Sequence, residues 1–170
     1  MSKTSFAGKA PALSAVFVLT MLDQITKALA ADRLADGPFV IVPGVFELRY
    51  LENRGAAFGM LQNQRVFFLI LTVIFLAVIT YIYLKIPADR KYLPLRILCI
   101  VVTAGAIGNF IDRLVLVYVR DFLYFSLINF PIFNVADIYV TVSAFVFFLL
   151  ILVYYKDSDL EFLSKNKDNQ

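Results

Sequence analysis

Residues 137–155 read DIYVTVSAFVFFLLILVYY: one aspartate, then 18 residues without a charge. A helix crosses a bilayer in roughly 20 mostly apolar residues. The run therefore reads as a membrane span with a carboxylate in its first turn. Charge in a span is retained where it faces a partner or a wet cavity. Asp137 thus raises two questions: how many such spans the chain has, and what the carboxylate is for.

Three more candidates lie upstream. Val66–Leu84 gives 19 residues without charge, and Ile97–Ile111 gives 15 that lengthen through Leu93–Leu95. Ala10–Leu22 gives only 13, and reaches Ala31 only if it tolerates Asp23 and Lys27. Those two are spaced i, i+4, so they share a helix face and neutralise each other. The spans are expected at about 11–31, 66–86, 93–113 and 136–155. A rival reading treats Lys3, Lys9, the apolar stretch and Ala28-Leu29-Ala30 as a cleaved signal peptide. The polar run DQITK at 23–27 speaks against it.

Composition agrees with lipid as the solvent. The chain has 170 residues, 61% hydrophobic and 17% charged, with a mean hydropathy of +0.78. Soluble domains carry about a quarter charged residues. The expected fold is an all-α membrane protein, a single domain of four transmembrane helices. The net charge of +3 is small and forms no basic stripe, so no nucleic-acid partner is expected. The polar tail from Lys156 to Gln170 is expected to be loose. The single cysteine, Cys99, excludes an intrachain disulfide and reads as filler in an apolar run. The absence of histidine removes zinc peptidase motifs, Ser-His and Cys-His nucleophiles and haem ligation by histidine.

Orientation follows the basic residues. With a cytoplasmic N-terminus, the inner side holds Lys3, Lys9, Lys85, Arg90, Lys91, Arg96, Lys156, Lys165 and Lys167. The outer side holds Arg33, Arg49, Arg54, Arg65, Arg113 and Arg120, in longer loops at about 32–65 and 114–135. Both termini are then cytoplasmic. The first outer loop, FVIVPGVFELRYLEN, is rich in β-formers with a turn at Pro43-Gly44, which predicts a small extracytoplasmic β-sheet.

This topology gathers the polar groups at one membrane depth. Asp23 and Lys27 fall in the outer half of span 1, and Asn53–Gly59 before span 2. Asn109, Asp112 and Arg113 fall at the outer end of span 3, Asp121 in the second outer loop, and Asn134 and Asp137 at the start of span 4. Each has a plainer reading alone. Asn134-Val-Ala-Asp137 fits a helix cap, Asp112-Arg113 an interfacial helix end, Asn53-Arg54-Gly55 a turn, and Asp121 a solvated loop charge. Gly105 and Gly108 ease helix packing. Together, four distant stretches at one depth form a site hypothesis.

Two carboxylates facing each other across a water can hydrolyse an amide without other catalytic side chains. Like charges a few Å apart resist joint ionisation, so the pair holds one proton. The motifs LDQITKA (22–28), LENRGAAFG (51–59), GNFIDR (108–113), VRDF (119–122) and FNVAD (133–137), in this order at span ends, resemble the bacterial lipoprotein signal peptidases (signal peptidase II). The resemblance runs from about residue 20 to 140. It implies a catalytic dyad of Asp121 and Asp137, with Asn134 beside it. It implies a substrate groove lined by Asn53, Gly55, Ala56, Ala57, Phe58, Asn109, Arg113 and Asn134, and structural support from Asp23, Gln24, Thr26, Lys27 and Asp112. The implied substrate is a prolipoprotein with a diacylglyceryl-modified cysteine, cut just before that cysteine at the extracytoplasmic face of the bacterial inner membrane. Its lipid would stay in the bilayer, so membrane lipid is a partner. No metal or organic cofactor is implied, and a monomer is expected. Two departures stand out. Arg54 is larger than the family's usual Thr or Ser, leaving the local groove shape open. Arg120 stands where an apolar residue is frequent; its proximity suggests that Asp121 is the ionised member.

The competing classes are a small ion- or proton-coupled transporter, for which the inner halves of the spans offer no polar path, and a non-catalytic scaffold. Rhomboid-type serine peptidases lack support without histidine and Gly-x-Ser-Gly.

Overall fold

The computed structural model describes residues 10–55 and 61–163. Helices α1 (Ala10–Arg33), α2 (Arg65–Lys85), α3 (Leu93–Val115) and α4 (Val135–Leu149) fall within a few residues of the four expected spans. A π-helical turn, Leu150–Tyr154, continues α4 to the length of a bilayer crossing. Among the described residues, four helices are long and apolar enough to span a membrane. The chain is a multi-pass membrane protein.

Helix α3 is the hub, packing against α1, α2 and α4. It buries Leu95, Cys99, Ala104, Gly105, Gly108 and Asp112, whereas α2 has no buried residue and leaves its apolar surface to lipid. The glycines explain the closeness of α3 to its neighbours. A Cβ on Gly105 would lie 2.6 Å from the Ala136 carbonyl oxygen, and one on Gly108 would overlap the Asp23 carboxylate. Small residues let backbones approach where lipid supplies no hydrophobic driving force between helices.

At one end of the bundle lies a three-stranded antiparallel sheet, order β1-β2-β3, with β1 Phe39–Val42, β2 Phe46–Asn53 and β3 Val119–Tyr124. The turn joining β1 and β2 runs through Gly44 at φ +69°, a left-handed value that glycine adopts without strain. The expected sheet in the first loop is thus present, but the second loop is not plain loop. It supplies β3, pairing Leu51 with Asp121 and Asn53 with Val119. A pairing across so long a stretch of chain leaves no local signature.

The far end of the bundle corrects the expected loose tail. Ile86, Leu95, Cys99 and Tyr155 form a buried cluster, and Leu160 and Phe162 pack on it. Residues 157–163 form two short 3₁₀ turns there. Lys91 Nζ meets Asp159 at 2.5 Å, Tyr92 Oη donates to the Asp159 carbonyl at 3.0 Å, and Tyr155 Oη donates to the Lys91 carbonyl at 2.9 Å. The apolar pair 160 and 162 inside a charged segment anchors it. Lys3, Lys9, Lys165 and Lys167 lie outside the described residues.

Replacing Gly108 by Ala should force α3 off Asp23. Overpacking of this kind costs about 1–3 kcal/mol, so the melting temperature in detergent should fall by several degrees. An unchanged melting temperature would mean that α1 and α3 separate freely.

Candidate functional site

The site begins with a buried cation. The side chains of Lys27 and Asp23 are fully buried, and their ion pair spans 2.9 Å. An ammonium has three donors and no acceptor. Lys27 Nζ also donates to Asn109 Oδ1 at 2.8 Å and lies 3.8 Å from Asp112. Asp23 accepts the Ala136 backbone N–H at 2.9 Å, tying α1 to the first turn of α4. Asp112 accepts three hydrogen bonds from Arg120, through its backbone N–H at 3.0 Å, Nε at 3.1 Å and Nη2 at 2.7 Å. Gln24 lies between the two ion pairs, donating to Asp112 at 3.1 Å and accepting from Arg120 at 2.9 Å. Two acids and two bases balance, so none of these charges is left buried alone.

This arrangement orients three asparagines. Because Lys27 can only donate, Asn109 must turn its carbonyl to it. Its amide NH2 then donates to Asp137 Oδ1 at 2.8 Å. Asn134 is the N-cap of α4, and its carbonyl accepts the Asp137 N–H at 3.0 Å. Asp137 returns the bond by accepting the Asn134 N–H at 3.1 Å. The Asn134 NH2 donates to Asp121 Oδ1 at 2.6 Å. Asn53 follows the same rule: its carbonyl accepts the Gly55 N–H at 3.0 Å, and its NH2 donates to Asp121 Oδ2 at 2.8 Å. Each amide oxygen is held by a group that only donates, and each NH2 faces a carboxylate. Asp137 thus completes the expected cap with Asn134 while its other oxygen accepts from Asn109.

Asp121 and Asp137 share one cavity of about 880 Å³, with Asn53, Gly55, Asn109 and Arg113 in its wall. Asp121 is 1% exposed, while Asp137 is half-buried. Burial pushes the Asp121 carboxyl up to about 7; the nearby Asp137 charge adds to this, and the Asn53 and Asn134 donors oppose it. Arg113 donates to the Gly55 carbonyl at 3.2 Å and lies 4.6 Å over the Phe68 ring.

Several expectations change. Arg120 does not reach Asp121: successive strand residues point to opposite faces, and Arg120 is spent on Asp112 and Gln24. Burial moves the Asp121 carboxyl up to about 7, the opposite direction to the lowering expected from a neighbouring Arg120. Asn134 is fully buried behind the aspartates and does not line the cavity. Arg54 turns to Glu52 at 3.1 Å and also stays out of the cavity, so its size does not alter the wall. Asp23, Lys27 and Asp112 stand behind the wall, as supports would. Ala56, Ala57 and Phe58 lie outside the described residues. Arg65 was not anticipated: its Nε donates to the Arg113 carbonyl at 2.8 Å and its Nη2 to the Leu114 carbonyl at 2.6 Å, capping α3. A basic residue at the start of an apolar run gives no hint of this.

The model of the family described as signal peptidase (SPase) II matches residues 15–153. The chain belongs to that family. It is 42% identical over 146 residues to the lipoprotein signal peptidase of Streptococcus thermophilus, spanning 85% of this chain and 92% of the relative. It is 43% identical over 137 residues to that of Caldanaerobacter subterraneus, spanning 79% and 91%. A solved bacterial membrane enzyme superposes with a TM-score of 0.74 at 27% identity, covering 100% of this chain and 99% of the other. A second gives 0.75 at 30% identity, covering 91% and 99%. The protein is therefore an aspartic-type signal peptidase, a membrane hydrolase that processes lipoprotein precursors.

Lys27→Met should remove the cation that balances this peptidase's buried acids. Breaking a buried pair from one side costs about 3–5 kcal/mol, so the variant should lose most of its folded yield in detergent. Wild-type yield and melting temperature would show that the acids do not depend on the ammonium.

Proposed function

We propose that the peptidase cuts diacylglyceryl-modified prolipoproteins just before the lipidated cysteine, using Asp121, Asp137 and a water. The observation that carries this is the shared cavity: a strand and a helix start deliver two carboxylates into it, bridged from behind by Asn134. Asp137 sits at the positive end of α4, favourable for negative charge, and is the more open of the two. It acts as the base. Water attacks the scissile carbonyl carbon and gives its proton to Asp137. Asp121, protonated, donates to the carbonyl oxygen as the tetrahedral intermediate forms. On collapse the C–N bond breaks, Asp137 passes its proton to the leaving amine, and Asp121 recovers its own. Arg113, charged and in the cavity wall, holds a substrate backbone carbonyl. The apolar wall of Ile138 and Val142 meets the signal helix.

The test is cleavage of a lipidated prolipoprotein by the purified protein in detergent. Asp121→Asn and Asp137→Asn should each abolish turnover. Each introduced NH2 would face a donor, so a stability loss of about 1–2 kcal/mol is expected alongside, and folded fraction is measured in parallel. Deprotonating Asp121 removes the acid, so the rate should fall as pH rises through about 7 while the protein stays folded. A rate flat into the alkaline range would exclude this division of roles.

The basic-residue bias supports an extracytoplasmic sheet end and site, with both termini cytoplasmic. A reporter fused after Tyr92 should read as cytoplasmic and one inserted at Gly37 as extracytoplasmic. The reverse pattern would invert the whole assignment.

A further inference from the structure

The cavity extends well past the two aspartates. On β2, Asn53, Glu52, Leu51 and Arg49 line it, with Glu52 paired to Arg54 at 3.1 Å, and Tyr124 and Asn129 line it beside Arg49. Two-residue steps on a regular strand advance about 6.6 Å; with the register irregularity between Leu48 and Leu51, Arg49 lies at most about 13 Å beyond Asn53, the residue bonded to Asp121. That is the length of roughly four residues of extended peptide. The two ends of the cavity differ in kind. One is walled by α3 and α4 inside the bundle; the other is walled by the sheet, outside it. A signal helix lying in the membrane must reach the aspartates along the helix end. The chain beyond the cut must then leave along the sheet end.

Arg49 is built to meet that chain. Its guanidinium lies 4.9 Å over the Tyr124 ring and pairs with Glu47 at 2.6 Å. Tyr124 is itself fixed, donating its Oη to Asn129 Oδ1 at 2.5 Å. The Arg49 side chain stays 50% exposed, whereas that of Glu47 is 12% exposed, so the cation is the accessible member of the pair. A guanidinium has five N–H donors and no acceptor, and Glu47 does not use them all.

We propose that Arg49, seated on Tyr124, is a specificity subsite for the second to fourth residues of the released chain, counting the lipidated cysteine as the first. It favours acidic or neutral polar residues there and disfavours lysine. This rests on the proposed cleavage reaction and deepens it. The exit wall thus adds a charge filter to a site otherwise defined by lipid and helix.

The experiment compares kcat/KM for three lipidated prolipoproteins carrying Asp, Ser or Lys at all three positions, with the wild-type enzyme, Arg49→Gln and Arg49→Glu. The wild type should cut the Asp substrate at least three- to fivefold better than the Lys substrate, the size expected of a half-exposed ion pair. The preference should collapse in Arg49→Gln and reverse in Arg49→Glu; both leave Glu47 without its partner, so folded fraction is measured in parallel and kcat/KM is compared between substrates within each variant. Equal rates for all substrates with the wild type, or an Asp preference that survives in Arg49→Glu, would overturn the subsite and leave the cleavage reaction standing. Failure to cut any of the three would overturn both.

Discussion

The contact between Lys27 Nζ and its three acceptors is the constraint from which the site follows. A lone ammonium buried at membrane depth would be opposed by several kcal/mol of lost hydration. Asp23, Asn109 and Asp112 provide what water would have provided. Because the ammonium cannot accept a hydrogen bond, its effect reaches beyond charge balance. It decides which end of the Asn109 amide faces inward, and so puts an NH2 against Asp137. The orientation of the amide facing Asp137 is thus set by a group that itself never enters the cavity, while backbone N–H groups set those of Asn134 and Asn53.

Such a network needs helices closer together than large side chains permit. Gly105 and Gly108 bring α3 against Ala136 and Asp23, so an acid on α1 can accept from the backbone of α4. The sheet closes the remaining side. Pairing with β2 sets Asp121 opposite Leu51, and Asn53, two residues on, reaches Asp121 from the neighbouring strand. Arg120 pins the start of β3 onto the end of α3 through Asp112. A position that looks like an electrostatic neighbour of Asp121 is a structural anchor facing the other way.

The spans, the i, i+4 pair and the cap were legible in the sequence because each is a local pattern: an uncharged run, a helical spacing, an Asn three residues before an Asp. The predicted site residues that lie among the described ones come together for a related reason, since membrane depth alone brings charged span ends to one level. What was not legible was non-local. β3 exists only because β2 offers it an edge, and VRDFLY carries no clean alternation to announce it. The reach of Arg120 depends on that strand, so proximity in sequence misassigned its partner. The tail misled for the opposite reason. Its charges read as solvated, but Leu160 and Phe162 pack on the buried cluster and Asp159 pairs with Lys91, so residues 157–163 dock. Asn134 likewise reads as a groove residue beside its aspartate, and only the cap geometry turns it inward.

The two aspartates are held on unlike supports, and their asymmetry follows. Asp137 sits in the first turn of a helix, partly open to the cavity. Asp121 sits on a strand with its side chain nearly enclosed, between the NH2 groups of Asn53 and Asn134. Those two amides have already committed their oxygens, one to the Gly55 N–H and one to the Asp137 N–H. Neither can accept a proton from Asp121. With its carboxyl raised to about 7 by burial, Asp121 takes up a proton far more readily than a solvated aspartate, and the enclosing NH2 groups offer such a proton no acceptor. The cavity is the direction left to it, which is where a scissile carbonyl would lie. In the proposed reaction, enclosure by donors would therefore hold the Asp121 carboxyl in place and leave the cavity as the outlet for its proton.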